Sequence, residues 1–338
     1  MSSTTSMKLI KMPNLKETGN NFFSRLKDRG ETTFSKLEKV GSRFLHSCND
    51  HHPIIFPNLK EVGNDFMTYS STSEVNLPKV EEIGSNFLMF NDELKSIDLP
   101  SAVSIGNFFL SHNKNLEFAN LPNVKVIGDS FLKNNWSLSS IYIPNVEEIG
   151  DDFLRYNTSL INIDISKAKK VGDSFLFETS KLQTINCQNL EIVGNGFIEN
   201  GGYLKTIDCP KIRIIGNNFL THNYEIRNIF FPNAEIIGDD FISSNHTIEK
   251  VDLPNAEKIG DHFLEYASQL EEIDLPNVEI IGTNFLYHVT DIVKFNAPKL
   301  ITLGPSSILE NPYTIITSEF NIPQELKEKY SANHANQI

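Results

Sequence analysis

Apolar residues return along this chain in a fixed order. Leu94, Leu116, Leu138, Leu160, Leu182 and Leu204 stand 22 residues apart, and Ile226, Ile248 and Leu270 continue the series. Three and five residues further come two more, such as Ile97 with Leu99, Ile163 with Ile165 and Ile273 with Leu275. Polar residues alternate with this last pair, which is the period of a half-buried strand. Pro100, Pro144, Pro254 and Pro276 follow at once, where proline ends ladder bonding and begins a turn. A second apolar pair, Val146 and Ile149 in one unit, leads into a glycine and then to Phe153 and Leu154. That arc predicts a turn or a short irregular helix on the outer side of each unit.

The glycine sets the period. Fourteen of the 18 glycines, from Gly19 to Gly304, fall on one 22-residue clock, with a single 21-residue interval between Gly63 and Gly84. A fixed period of this length marks a stacked solenoid, in which each unit buries its apolar face against its neighbours. Glycine is expected there either because φ is positive or because backbones pass closely. Seven residues after the glycine stand Asn91, Asn113, Asn135, Asn157, Asn223 and Asn245, with Cys48 at the matching site. A buried asparagine column can bond the loop backbone of its own and the next coil. Asn135-Trp136-Ser137, Asn157-Thr158-Ser159 and Asn245-His246-Thr247 match the glycosylation acceptor pattern. Their asparagines fall in the inward column, so none is expected to be modified.

With leucine, asparagine and strand in this order, the unit resembles a leucine-rich repeat. Ile97-Asp98-Leu99-Pro100, leading to Ile105-Gly106 and Phe109, is similar to the BspA-like type of bacterial and protist surface and effector proteins. The resemblance covers about residues 7–310, and Phe320-Asn321-Ile322-Pro323 resembles the closing segment of such arrays. The expected fold is an α/β-type repeat solenoid. It is a leucine-rich-repeat superhelix with a parallel sheet on one face and irregular or short helical outer arcs. Residues 1–34 are expected to form an N-terminal cap and first irregular repeat, with Arg29 replacing the usual Leu. Residues 35–304 carry the repeats, and 305–338 form a C-terminal cap with a short helix opened by Pro323.

Charge and chemistry narrow the function. The net charge is −13, yet residues 1–50 carry nine Lys/Arg against five Asp/Glu. An acidic body repels phosphate backbones, so nucleic acid is not an expected partner. The basic start reads as a solvated cap, or as a contact for an acidic partner. No run of 18 apolar residues occurs, so no membrane span is expected. The first seven residues lack the pattern of a secretory signal. The expected location is therefore cytoplasmic in the producing cell, or outside it after effector-type export into a host cell without a classical signal. Cys187 and Cys209, one period apart, are expected to stack as buried free thiols. His112, His222 and His288 share a column but lie whole coils apart, too far to share a Zn²⁺, and His51-His52 lacks a further ligand. The acidic pairs Asp151-Asp152 and Asp239-Asp240 read as solvated turns on a rod without a pocket, not as a glycosidase dyad. No phosphate loop, nucleophile elbow or dinucleotide fingerprint appears. The chain is expected to have no cofactor, no metal and no enzymatic activity.

The outward strand positions carry the candidate site. Fourteen residues after the glycine they read Asp98, Asn120, Tyr142, Asp164, Asn186, Asp208, Phe230, Asp252, Asp274 and Asn296. Asp and Asn are poor strand formers, and stacked aspartates repel. Such a column is either selected for binding or copied from an ancestral repeat. Phe118, Trp136 and Tyr142 are expected to form a contact patch, with Phe230 a second anchor among Asp164, Asp208, Asp252 and Asp274. The expected function is protein binding by a monomer, with a basic partner, and the family resemblance implies a host protein. A self-associating assembly protein and a surface adhesin remain alternatives.

Overall fold

The computed structural model describes residues 9–26, 31–48, 54–289, 292–310 and 319–335. Arg29 and the His51-His52 pair lie outside them. The chain divides into two compact units, Met1–Ala168 and Lys169–Ile338, each a run of parallel coils.

In the first unit, two-residue strands precede the clock glycines: Glu17–Thr18, Lys39–Val40, Glu61–Val62, Glu82–Ile83, Ser104–Ile105, Val126–Ile127 and Glu148–Ile149. They pair in parallel and in chain order, with Ser104 opposite Val126 and Ile105 opposite Ile127. The second unit repeats this column from Lys170–Val171 to Thr302–Leu303. The strands anticipated from the alternating positions form a separate ladder. In the first unit it contains Ser96–Asp98, Phe118–Asn120 and Ser140–Tyr142. In the second it runs Asn228–Phe230, Lys250–Asp252, Glu272–Asp274, Lys294–Asn296 and Phe320–Asn321. The coils thus supply strands on the arc side as well as, in most of them, on the expected face.

The helical arcs, and with them the α/β character, do not hold. Among the described residues the helices are a single 3₁₀ turn, Ile308–Glu310, and α1, Gln324–Ala335. Past the glycine every second residue is left-handed instead: Asn86, Leu88 and Phe90 have φ of 60°, 50° and 59°. Their amides donate to Asn107 O of the next coil (2.8 Å), Phe66 O of the preceding one (2.9 Å) and Ser111 O of the next (3.1 Å). A helix would use those amides internally, and at about 10 Å across it could not repeat at the ~4.8 Å spacing of paired strands. A left-handed non-glycine residue costs roughly 1–2 kcal/mol, which the lateral bonds offset.

The core is a set of columns. Phe66, Phe87, Phe109, Phe131 and Phe153 are fully buried, their successive rings nearly parallel with centroids 5.3, 5.2, 5.2 and 5.5 Å apart. The buried asparagines bond as rungs. Asn135 Nδ2 donates to Leu132 O of its own coil (2.8 Å) and to Leu110 O of the preceding coil (2.9 Å). The same preceding coil bonds back in the opposite sense, its Asn113 amide donating to Asn135 Oδ1 at 2.6 Å. Asn135, Asn157 and Asn245 are completely buried, which keeps the three acceptor side chains inside the coils.

Close approach explains the glycine clock. A Cβ on Gly106 would stand 2.8 Å from Ser85 N and 2.9 Å from the Gly84 carbonyl carbon. Among the described residues the glycines with positive φ are Gly196 and Gly202, both off the clock. The space is filled by the polar side chain that follows the previous glycine. Asn107 Oδ1 accepts from the Asp129 amide and Asp129 Oδ1 from the Asp151 amide, each at 3.0 Å. Asp239 Oδ1 likewise accepts the Asp261 amide at 2.8 Å, so the first acid of that pair is a rung between coils and not merely a solvated turn. Cys187 and Cys209 are likewise not free thiols. They are joined by a disulfide, because equivalent sites on adjacent coils bring their Cα atoms to 5.1 Å, within bonding range.

Candidate partner-binding face

The face ladder of the first unit presents two outward columns. Ser96, Phe118 and Ser140 form one, and Asp98, Asn120 and Tyr142 the other. Phe118 opposes Ser140 while Tyr142 opposes Asn120, so the two residues are diagonal neighbours on the same side of the ladder. Trp136 sits in the turn that leads into the Tyr142 strand. Phe118, Trp136 and Tyr142 are 40%, 56% and 53% exposed, while Ala119 and Leu138 beneath them are fully buried. The Asn120 amide donates to Asp98 Oδ1 at 2.7 Å, which steadies the acid without a cation.

In the second unit Phe230 opposes Asp252, which in turn opposes Asp274. Phe230 is 57% exposed, the acids half-buried. Partial burial pushes the Asp252 carboxyl up, Asp274 adds to the shift, and Lys250 and Lys294 oppose it. Lys250 is held at 3.1 Å from Glu272 in the neighbouring column. The acids of the column also have partners within the chain. Asn296 donates to Asp274, Gln188 Nε2 donates to Asp208 Oδ2 at 2.8 Å, and Asp164 Oδ1 accepts the Ser166 amide at 2.9 Å. At Asn120 and Asn296 the amide supplies the proton that a second carboxylate would lack.

The chain matches the BspA type leucine rich repeat region over residues 2–92, 81–205 and 191–316. It belongs to that family. No curated protein matches it. A leucine-rich repeat protein from Bacteroides ovatus is 21% identical, with 88% of this chain and 74% of that one aligned at a TM-score of 0.57. A leucine rich cell surface protein from Faecalibacterium prausnitzii is 16% identical over 96% of this chain and 90% of its own, at a TM-score of 0.42. The Bacteroides likeness establishes a shared fold.

Other surfaces of this BspA-type array were not legible beforehand. On the outer arc Tyr69 stacks on Phe90, and Phe90 on His112, each pair with centroids 4.6 Å apart. Tyr69, Phe90 and His112 each stand six residues after a clock glycine, so the histidine column is also an aromatic one. His112 Nε2 lies 2.9 Å from Asn134 Nδ2, which places it in a side-chain contact on the arc. The arc also carries a shallow cleft of about 640 Å³ lined by Arg25, Arg43, His46 and Asp65, although a rod without pockets was expected. Ile214, Ile236 and Ile280 are exposed on the arc-side sheet, at the position where Glu82 and Glu148 stand in the first unit. Among the described residues no helix is long and apolar enough to cross a membrane.

Proposed function

We propose that the chain is a non-enzymatic protein-binding module that takes its partner on the outward strand face. The group of exposed aromatics Phe118, Trp136 and Tyr142 carries this reading. Rings held on a paired ladder lose little freedom on binding and gain roughly 25 cal/mol for each Å² of apolar surface covered. Phe230, with Asp208, Asp252 and Asp274 in its column, supports a second contact that prefers a basic partner, in keeping with the net charge of −13. The family membership supports a partner on a host cell or a neighbouring cell.

A surface adhesin is the second reading, favoured by the Cys187–Cys209 bond, because disulfides persist in oxidising compartments. To test the first reading, a partner is captured from host lysate and identified, and its affinity for wild type is compared with the Phe118→Ala/Trp136→Ala/Tyr142→Ala variant. Loss of about 100-fold or more is expected. Equal affinity with unchanged folding removes the proposal. Light scattering of the purified chain separates it from self-assembly, since a monomer is expected.

A further inference from the structure

The face ladder of the second unit fails at one coil. Thr184–Asn186 is a strand and Asn228–Phe230 opens the five-stranded run, but Thr206–Asp208 between them is not a strand. Single bridges remain, Asn186 with Asp208 and Gly202 with Asn223. The local cause is Gly201-Gly202. Gly201 stands where most coils place a polar side chain as a rung, and Gly202 takes φ +61°, which releases the chain from the regular path.

The other side of the same coil is tightly held. Ile192–Val193, Ile214–Ile215 and Ile236–Ile237 pair in register, and Phe197 stacks between Phe175 and Phe219 at 5.1 and 5.2 Å. On the face side the tie is covalent. Cys187 directly follows Asn186 and Cys209 directly follows Asp208, so the disulfide lies beside the bridge between Asn186 and Asp208. Both sulfur-bearing residues are fully buried. A cross-link over such a loop limits how far the open state can spread.

We propose that the Cys187–Cys209 disulfide is a redox-dependent lock on the partner-binding face of the second unit. Oxidised, it keeps Asp208 bridged to Asn186 within the column that contains Phe230. Reduced, it lets residues 201–209 leave the ladder while the arc-side sheet stays closed. This rests on the face being the binding surface. The chemistry is exchange with a dithiol reductant: its thiolate attacks one sulfur, the S–S bond breaks, and a mixed disulfide forms. Its second thiolate then closes a cyclic disulfide, so two electrons and two protons pass to Cys187 and Cys209. Buried sulfurs admit the reductant only when the coil opens locally, and the missing strand makes this the coil where opening is easiest.

The test needs no partner, so its failure is distinct from failure of the binding face. The full chain, purified from an oxidising compartment, is unfolded and its thiols counted. One reactive thiol, Cys48, is expected before reduction with dithiothreitol and three after it. Amide hydrogen exchange is then followed with and without dithiothreitol. Residues 201–209 should exchange roughly tenfold faster or more once reduced, with Ile214–Ile215 and Ile236–Ile237 unchanged. The Cys187→Ala/Cys209→Ala variant should match the reduced protein. Three thiols before reduction, or equal exchange in both states, overturns the lock. Loss of protection along the whole second unit also overturns it, because the bond would then support the unit and not this face.

Discussion

Gly128 and Tyr142 belong to one coil and answer to different neighbours. Gly128 lies against the backbone of Gly106 and the side chain of Asn107, so any side chain there meets atoms that cannot move. Tyr142 lies on Asn120 on one side and is open to solvent on the outward side. The seam holding Gly128 repeats its residues because each coil is the template for the next. The face is freer to vary because its outward side chains bear at most on one another, as Asn120 does on Asp98, and not on the close-packed backbone of the next coil. Identity is therefore constrained where coils touch, and specificity can reside only where they do not.

The largest expected break in this contrast is Phe131→Ala. It empties a site between Phe109 and Phe153 and should lower unfolding stability by about 3–5 kcal/mol in a denaturant titration. Asn135→Ala should follow at about 2–3 kcal/mol, since it leaves the Leu110 and Leu132 carbonyls without their side-chain donor. Gly106→Ala should cost about 1–3 kcal/mol through its clash with Ser85 and Gly84. By contrast Tyr142→Ala should stay within about 0.5 kcal/mol of wild type. A Tyr142 loss as large as that of Asn135 would show that the face is structural after all.

The smallest effect compares the arcs of the two units through their histidines. A hydrogen bond donated to Glu265 raises the His262 pKa above its ordinary 6.5, whereas burial lowers those of His46 and His112 below it. The signs follow from linkage. His262 contributes stability that is present below its unfolded pKa and lost as pH rises through the higher folded value. His46 and His112 contribute stability that is present above their unfolded pKa and lost as pH falls through the lower folded values. Two-dimensional NMR titration should find His262 last to deprotonate on raising pH. Coincident titration of all three near 6.5 would contradict the environments described for them.

Much of the fold was legible because each coil repeats one solution. The Leu94 series, the Ile97–Leu99 alternation and the asparagine column each mark a site that touches its own copy one turn away. The arc misled for a physical reason. Glu148-Ile149-Gly150 followed by Phe153-Leu154 has apolar spacing compatible with a helix, and nothing local reveals that alternate amides will bond sideways to other coils. The candidate face was found by subtraction, as the positions that the period leaves free. Its ladder register, its Asn–Asp bonds and its failure at Gly201-Gly202 depend on which residues of neighbouring coils meet.

By itself the sequence determined the period, the stacking of identical columns, the inward asparagines and the outward placement of Phe118, Tyr142 and Phe230. These follow from composition repeated at fixed spacing, since like must sit on like. Only the tertiary structure decided the second sheet, the left-handed arcs, the Asx rungs under the glycines and the bonding of Cys187 to Cys209. Each of these is a contact between residues about one turn apart, set by how close two backbones come, and no single coil contains that distance.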